Sequence, residues 1–141
     1  MKKAPVFSAL SAFLFFALAA SAAWAAPMQP GKWLVTTKTE MPGSSFATPQ
    51  FTHVYCYSKE DIKGKKTVPG IRKGCDMPSY KTSGDTVSWK MVCKGKGGAE
   101  TVTGRMTSTG TAYNGTMEMT MPGGRTMITR ISGTRLGDCV K

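Results

Sequence analysis

Residues 86–121 read TVSWKMVCKGKGGAETVTGRMTSTGTAYNGTMEMTM, and this stretch decides the fold class. Thr, Val, Met and aromatic residues alternate with polar ones, and glycine-rich breaks interrupt the alternation at hairpin spacing. Alternation at a period of two, with β-branched and aromatic residues, describes a pleated surface with one buried face. Residues 100–108 and 112–121 therefore pair as a hairpin around Gly110. Residues 80–83 and 86–94 pair around Gly84. Asn114-Gly115 is a strong hairpin signal by itself, but a turn there would leave residues 116–121 short, so it is read as a bulge inside a strand.

The same grammar extends in both directions. Downstream, Pro122-Gly123-Gly124 turns the chain into residues 125–135. Upstream, residues 33–40 form a first strand ended by Met41-Pro42-Gly43, and residues 51–57 a second. Ser58-Lys59-Glu60-Asp61 is suited to cap a brief helical turn before a basic loop that closes at Pro69-Gly70. Neither a heptad nor a repeat of 20–50 residues is present, which argues against coiled coils and solenoids. About seven or eight strands at this spacing predict an all-β domain, a small antiparallel barrel of the lipocalin-like up-and-down type or a sandwich.

The N-terminus has a different character. Met1-Lys2-Lys3 precedes an uncharged apolar run over residues 6–20, and Ala23-Trp24-Ala25 fits the small-residue pattern that a signal peptidase accepts. The apolar run is shorter than the ~20 residues of a bilayer crossing. Residues 1–25 are thus expected to be a cleaved signal peptide and residues 26–141 a single exported domain without a transmembrane segment. About 115 residues make a small core, for which disulfides are the common reinforcement. Cys56, Cys75, Cys93 and Cys139 supply an even number. A three-residue loop at Ser83-Gly84-Asp85 would set Cys75 opposite Cys93, which leaves Cys56 for Cys139. Zinc is disfavoured, because no two cysteines have a C-x₂₋₄-C spacing and His53 is the single histidine.

The chain carries a net charge of +11, or +9 without Lys2 and Lys3, so anionic partners are electrostatically favoured. Lys59, Lys63, Lys65, Lys66, Arg72 and Lys73 cluster in the loop, while Lys90, Lys94 and Lys96 follow one strand and Arg125, Arg130 and Arg135 lie near the end. Catalytic signatures are missing: there is no nucleophile elbow, no H-E-x-x-H pair and no carboxylate pair. Gly95-Lys96-Gly97-Gly98 lacks the spacing of a phosphate loop and reads as a hairpin tip. No enzyme activity and no cofactor are expected.

Met117-Glu118-Met119-Thr120-Met121 is the most distinctive segment. Strand alternation sets its three methionines on one face, with Met119 opposite Met127 across the Pro122–Gly124 loop and Met91 and Met106 in the same interior. Three thioethers suit Cu(I), which makes Met117, Met119 and Met127 a metal alternative. Adaptable Met side chains in a core or pocket wall are the simpler account, because the run brings no second His or free Cys. An apolar pocket lined by Met91, Met106, Met117, Met119, Met121, Met127, Trp33 and Trp89, with Tyr55, Tyr57 and Tyr113 nearby and a basic rim, would suit a lipid-like or other amphipathic anionic ligand. A basic surface acting on anionic envelope components is the alternative from another class. Nucleic acid is not expected, because no reading motif is present.

The order of motifs also resembles a known family. Pro30-Gly31-Lys32-Trp33, Met41-Pro42-Gly43, Val54-Tyr55-Cys56 before Lys59-Glu60-Asp61, the 83–93 segment, Tyr113-Asn114-Gly115-Thr116-Met117 and the 131–139 ending are similar to the bacterial exported family called domain of unknown function 3617. The resemblance spans nearly the whole expected mature chain. It implies a bacterial periplasmic or secreted protein and brings no activity or site with it.

Overall fold

The computed structural model describes residues 27–45 and 48–140. The expected leader and its cleavage point lie outside these residues. Among the described residues there are seven strands: β1 (Gly31–Glu40), β2 (Gln50–Tyr57), β3 (Cys75–Ser83), β4 (Thr86–Gly95), β5 (Gly98–Ser108), β6 (Ala112–Thr120) and β7 (Thr126–Gly137). One short helix, α1 (Lys59–Lys63), lies between β2 and β3. All the strands pair antiparallel in a single sheet of order β2-β1-β7-β6-β5-β4-β3.

Every strand therefore lies beside its sequence neighbours except at the β2–β3 step, and β7 returns to β1. This is the connectivity of an up-and-down barrel with one ladder missing, because β2 and β3 are the two edges of the sheet. The all-β antiparallel fold is as expected, whereas closure by hydrogen bonds is not made. Local chemistry explains the gap. The chain between the edges carries Gly64, Pro69, Gly70 and Gly74, and Pro78 within β3 lacks the N–H a further ladder would need.

Alternation sorts the side chains as the pattern requires. Odd-numbered residues of β1, β4, β6 and β7 and even-numbered residues of β5 face inward, and Trp33, Val35, Trp89, Met91, Cys93, Val102, Met106, Tyr113 and Ile131 form the buried core. Two large rings are accommodated by glycines directly across a strand pair. Trp89 lies opposite Gly104, where an added Cβ would come within 2.2 Å of the indole. Tyr113 lies opposite Gly133 in the same relation, again at 2.2 Å. Trp33 packs on Tyr113 with centroids 5.4 Å apart and donates its indole N–H to the Gln29 carbonyl at 3.0 Å. The Trp89 indole nitrogen is buried without an acceptor among the described residues, so packing over Gly104 and not hydrogen bonding sets its position.

Both cysteine pairs form, Cys75–Cys93 and Cys56–Cys139. The first pairing arises through two compensating features. The β3–β4 turn has two residues, since Ser83 pairs with Thr86, and Gly84 at φ 59° suits the first central position of a type II′ turn. A two-residue turn alone would put Cys75 out of step with Cys93. A bulge between Asp76 and Ser79, where Pro78 sits, shifts the register by one and restores the pair. Asn114-Gly115 shows no bulge. β6 keeps an unbroken register on both sides there, because a side chain at Gly115 would approach the Arg105 carbonyl oxygen to 2.9 Å and glycine is the residue that fits a straight strand.

Gly104→Ala and Gly133→Ala are each expected to destabilise the fold by about 1–3 kcal/mol, because the ring opposite must leave its rotamer. Urea denaturation monitored by near-ultraviolet circular dichroism checks this, and an unchanged midpoint in both would contradict the ring-on-glycine packing. Replacing Cys56 and Cys139 together by alanine should cost about 4 kcal/mol, since this bridge closes an 83-residue separation. The same replacement of Cys75 and Cys93, separated by 18 residues, should cost about 3 kcal/mol in the same denaturation series.

Candidate functional site

The missing ladder defines the site. Residues 58–74 form a strap from the end of β2 to the start of β3, with Cys56 just before it and Cys75 at its end. Ser58 caps α1 in a reciprocal box: its hydroxyl accepts from the Asp61 N–H at 3.1 Å, and its own N–H donates to the Asp61 carboxylate at 3.0 Å. Lys66 Nζ reaches the other Asp61 oxygen at 2.9 Å. Hydrogen bonding by the Ser58 backbone, then by Lys66 and the Ser58 hydroxyl, lowers the Asp61 carboxyl to about 2. Lys65 takes a left-handed φ of 61°, which turns the chain so that its ammonium sits 4.3 Å from the centroid of the Tyr80 ring.

Beyond this turn the strap enters the core. Val68 is 2% exposed and serves as the plug in the gap. Gly70, at φ 79°, lies against Met91 and Met117, and Arg72 pairs with Glu100. The Gly74 carbonyl accepts from the Lys94 N–H at 3.0 Å and hands the chain on to β3.

A cleft opens on each side of the plug. On the β2 side a cleft of about 380 Å³ is walled by His53, Tyr55 and Tyr57, which share the inward face of β2. Tyr55 and Tyr57 stack at 5.8 Å, and His53 meets Tyr55 at 6.2 Å. Val35, Met117 and Ile131 form the apolar floor, and Lys66 and Ile71 stand on the strap side. Partial burial raises the Tyr57 hydroxyl pKa, with smaller contributions from Tyr55 and Asp61. Deeper burial raises that of Tyr113 further. On the β3 side a second cleft, about 360 Å³, takes in Met28, Ile62, Tyr80, Val87 and Met106. Both volumes fall in the range of small-ligand sites.

The residues expected to line a single pocket are divided among these places. Trp33, Trp89 and Met91 are solid core, Met106 joins the β3-side cleft and Met117 the floor of the β2-side cleft. Met119 packs against the core opposite Met127 in register, and Met121 lies just past β6, where its N–H donates to the Arg125 carbonyl at 2.8 Å. Among the described residues no group of three or more His, Cys, Asp or Glu side chains comes together. The pattern reading missed the strap as a wall. Its one signal was position: a loop bracketed by Cys56 and Cys75 must sit close to both strands that those cysteines anchor.

Together these features define an open up-and-down β-barrel whose seam is strapped by a disulfide-bracketed loop. The chain belongs to the family described as Protein of unknown function (DUF3617), which it matches over residues 28–139. Comparisons with curated proteins and with solved structures give no match.

The low Asp61 pKa ties the strap to pH with a definite sign. A depressed folded-state value means that the stabilisation is complete above the ordinary 3.8 and is lost as pH falls through about 2. Amide hydrogen exchange in residues 58–66 should therefore be independent of pH-driven opening at neutral pH and accelerate, after correction for intrinsic rates, only below about pH 3. Asp61→Asn should bring that opening to neutral pH.

Proposed function

We propose that this protein is an exported, non-enzymatic binding module that holds an amphipathic anionic molecule in the β2-side cleft. The observation that carries the reading is the inward face of β2. Tyr55 is 46% exposed although it faces the concave side of the sheet, because no strand covers it. Aromatic rings left open above an apolar floor of Met117 and Ile131 are what an alkyl chain would cover, at ~25 cal/mol for each Å² removed from water. Lys66 at the rim pairs with Asp61 and keeps further ammonium N–H donors for an anionic head, and the methionine floor adapts to chains of differing shape. Two disulfides suit an oxidising compartment, and the basic, apolar and small-residue order of residues 1–25 supports export to the periplasm or medium through a cleaved signal peptide.

Titration calorimetry with dodecanoate and with dodecanol tests the reading. Both should bind, dodecanoate more tightly. Ile71→Glu, at an exposed position, should weaken dodecanoate by about tenfold or more, because it removes apolar area and adds a like charge. Lys66→Gln should weaken dodecanoate and leave dodecanol unchanged. Absence of binding to the unmodified protein, or indifference to Ile71→Glu, would overturn the assignment.

A further inference from the structure

The outward face of the sheet carries an arrangement that the cleft does not use. Register places Lys81 beside Ser88, Ser88 beside Arg105, Arg105 beside Thr116, Thr116 beside Arg130 and Arg130 beside Lys38. These six residues form one unbroken cross-strand row from β3 to β1, and all of them are exposed. At ~4.8 Å per strand the row is ~24 Å long, with Lys81, Arg105 and Arg130 each ~10 Å apart. The next row on the same face contains Thr86, Thr107, Asn114, Ser132, Thr36 and Thr52, again in register across adjacent strands. Thr86 bonds Thr107 at 3.0 Å and Thr36 bonds Thr52 at 3.3 Å, which fixes these hydroxyls while leaving each with further hydrogen-bonding capacity.

We propose that this face binds a linear acidic polysaccharide laid across the strands. The carboxylate or sulfate groups of the chain would meet the cations of the first row, and its hydroxyls would meet the Thr, Ser and Asn side chains of the second. Spacing favours a polymer over a single ion: from β3 to β7, cations on alternate strands with a hydroxyl on the strand between match a chain in which charged and neutral sugars alternate, and Lys38 on β1 stands directly beside Arg130 at the end of the row. The row stays net positive with its ion pairs counted. Lys81 and Arg105 form no ion pair among the described residues, while Arg130 and Lys38 share Glu40. Glu118, in the row on the other side, is the opposing charge nearest the centre. Single-stranded nucleic acid fits less well, because no aromatic side chain stands on the outward face of the strands to stack a base. A bilayer fits less well because the row contains no apolar side chain to enter it and crosses a convex surface.

Fluorescence anisotropy with a labelled hyaluronan octasaccharide, in which a charged uronate alternates with a neutral sugar, tests the proposal at about 0.15 M salt. The unmodified protein should bind. The row variant Lys81→Gln/Arg105→Gln/Arg130→Gln should bind at least about tenfold more weakly and with a shallower salt dependence. A control of equal charge loss, Lys63→Gln/Lys73→Gln/Lys96→Gln, should stay within about twofold, since those lysines lie off the row. Both variants keep exposed polar residues on the surface, and far-ultraviolet circular dichroism confirms that they fold. Equal weakening by the two variants would reduce the effect to bulk charge and overturn the proposal. So would absence of binding, or tighter binding to phosphatidylglycerol vesicles or to oligothymidylate than to the octasaccharide.

Discussion

The constraint on which the rest depends is the ladder that β2 and β3 do not make. A seven-stranded meander curled on itself has two edges to satisfy, and exposed edges invite pairing with other chains. Here the sequence between the edges is used as a strap, and each edge is fixed independently by a disulfide, β2 through Cys56–Cys139 and β3 through Cys75–Cys93. With the edges held covalently, Val68 can fill the gap without any strand pairing across it. The two clefts are the consequence. A plug one side chain wide cannot occupy a space that a whole strand would have filled.

The interior follows the same logic of fitting large pieces into a small sheet. Trp33, Trp89 and Tyr113 are too large for a core of this size unless something opposite them is absent, and Gly104 and Gly133 provide that absence. Methionine completes the fill. Its unbranched side chain adapts to the irregular space between the rings and the strap, which Val or Ile would match only with strain. This explains why strands that otherwise follow β propensity carry Met91, Met106, Met117 and Met119 on their inward face.

Much of this was legible in the sequence, and the exceptions have physical causes. The alternation of residues 86–121 yields strand positions and facing correctly, because burial on one side of a sheet leaves a period of two. The Cys75–Cys93 pair follows from counting across the hairpin, yet the count succeeds only because the Pro78 bulge offsets a turn one residue shorter than the count assumed. Asn114-Gly115 misleads because local turn chemistry is overridden by the straight pairing of β6 with two neighbours. The strap was illegible as a wall. Lys, Gly and Pro dominate residues 63–74, and nothing in that composition distinguishes Val68, which is buried, from Ile71, which is exposed. His53 and Tyr55 alternate like core residues, and only the topology reveals that no strand covers them.

Strand parity also separates the two proposed binding surfaces on one small sheet. The inner surface at the seam is apolar with Lys66 as its one lysine, so association there would rest on area removed from water and depend weakly on ionic strength. Along the outer row charge and hydroxyl groups repeat at the strand spacing, so association there would rest on ion contacts screened over about 8 Å at physiological salt. The two surfaces share β1, β2, β6 and β7 but no side chain, since Val35, Met117 and Ile131 point in where Lys38, Thr116 and Arg130 point out. A ligand in the cleft and a polymer on the outer row would therefore not compete for contacts. Coupling between them would have to pass through the strands themselves, whose register is pinned by the ring-on-glycine pairs and the two disulfides. A sheet held that firmly transmits little, so the physical expectation is independence of the two surfaces.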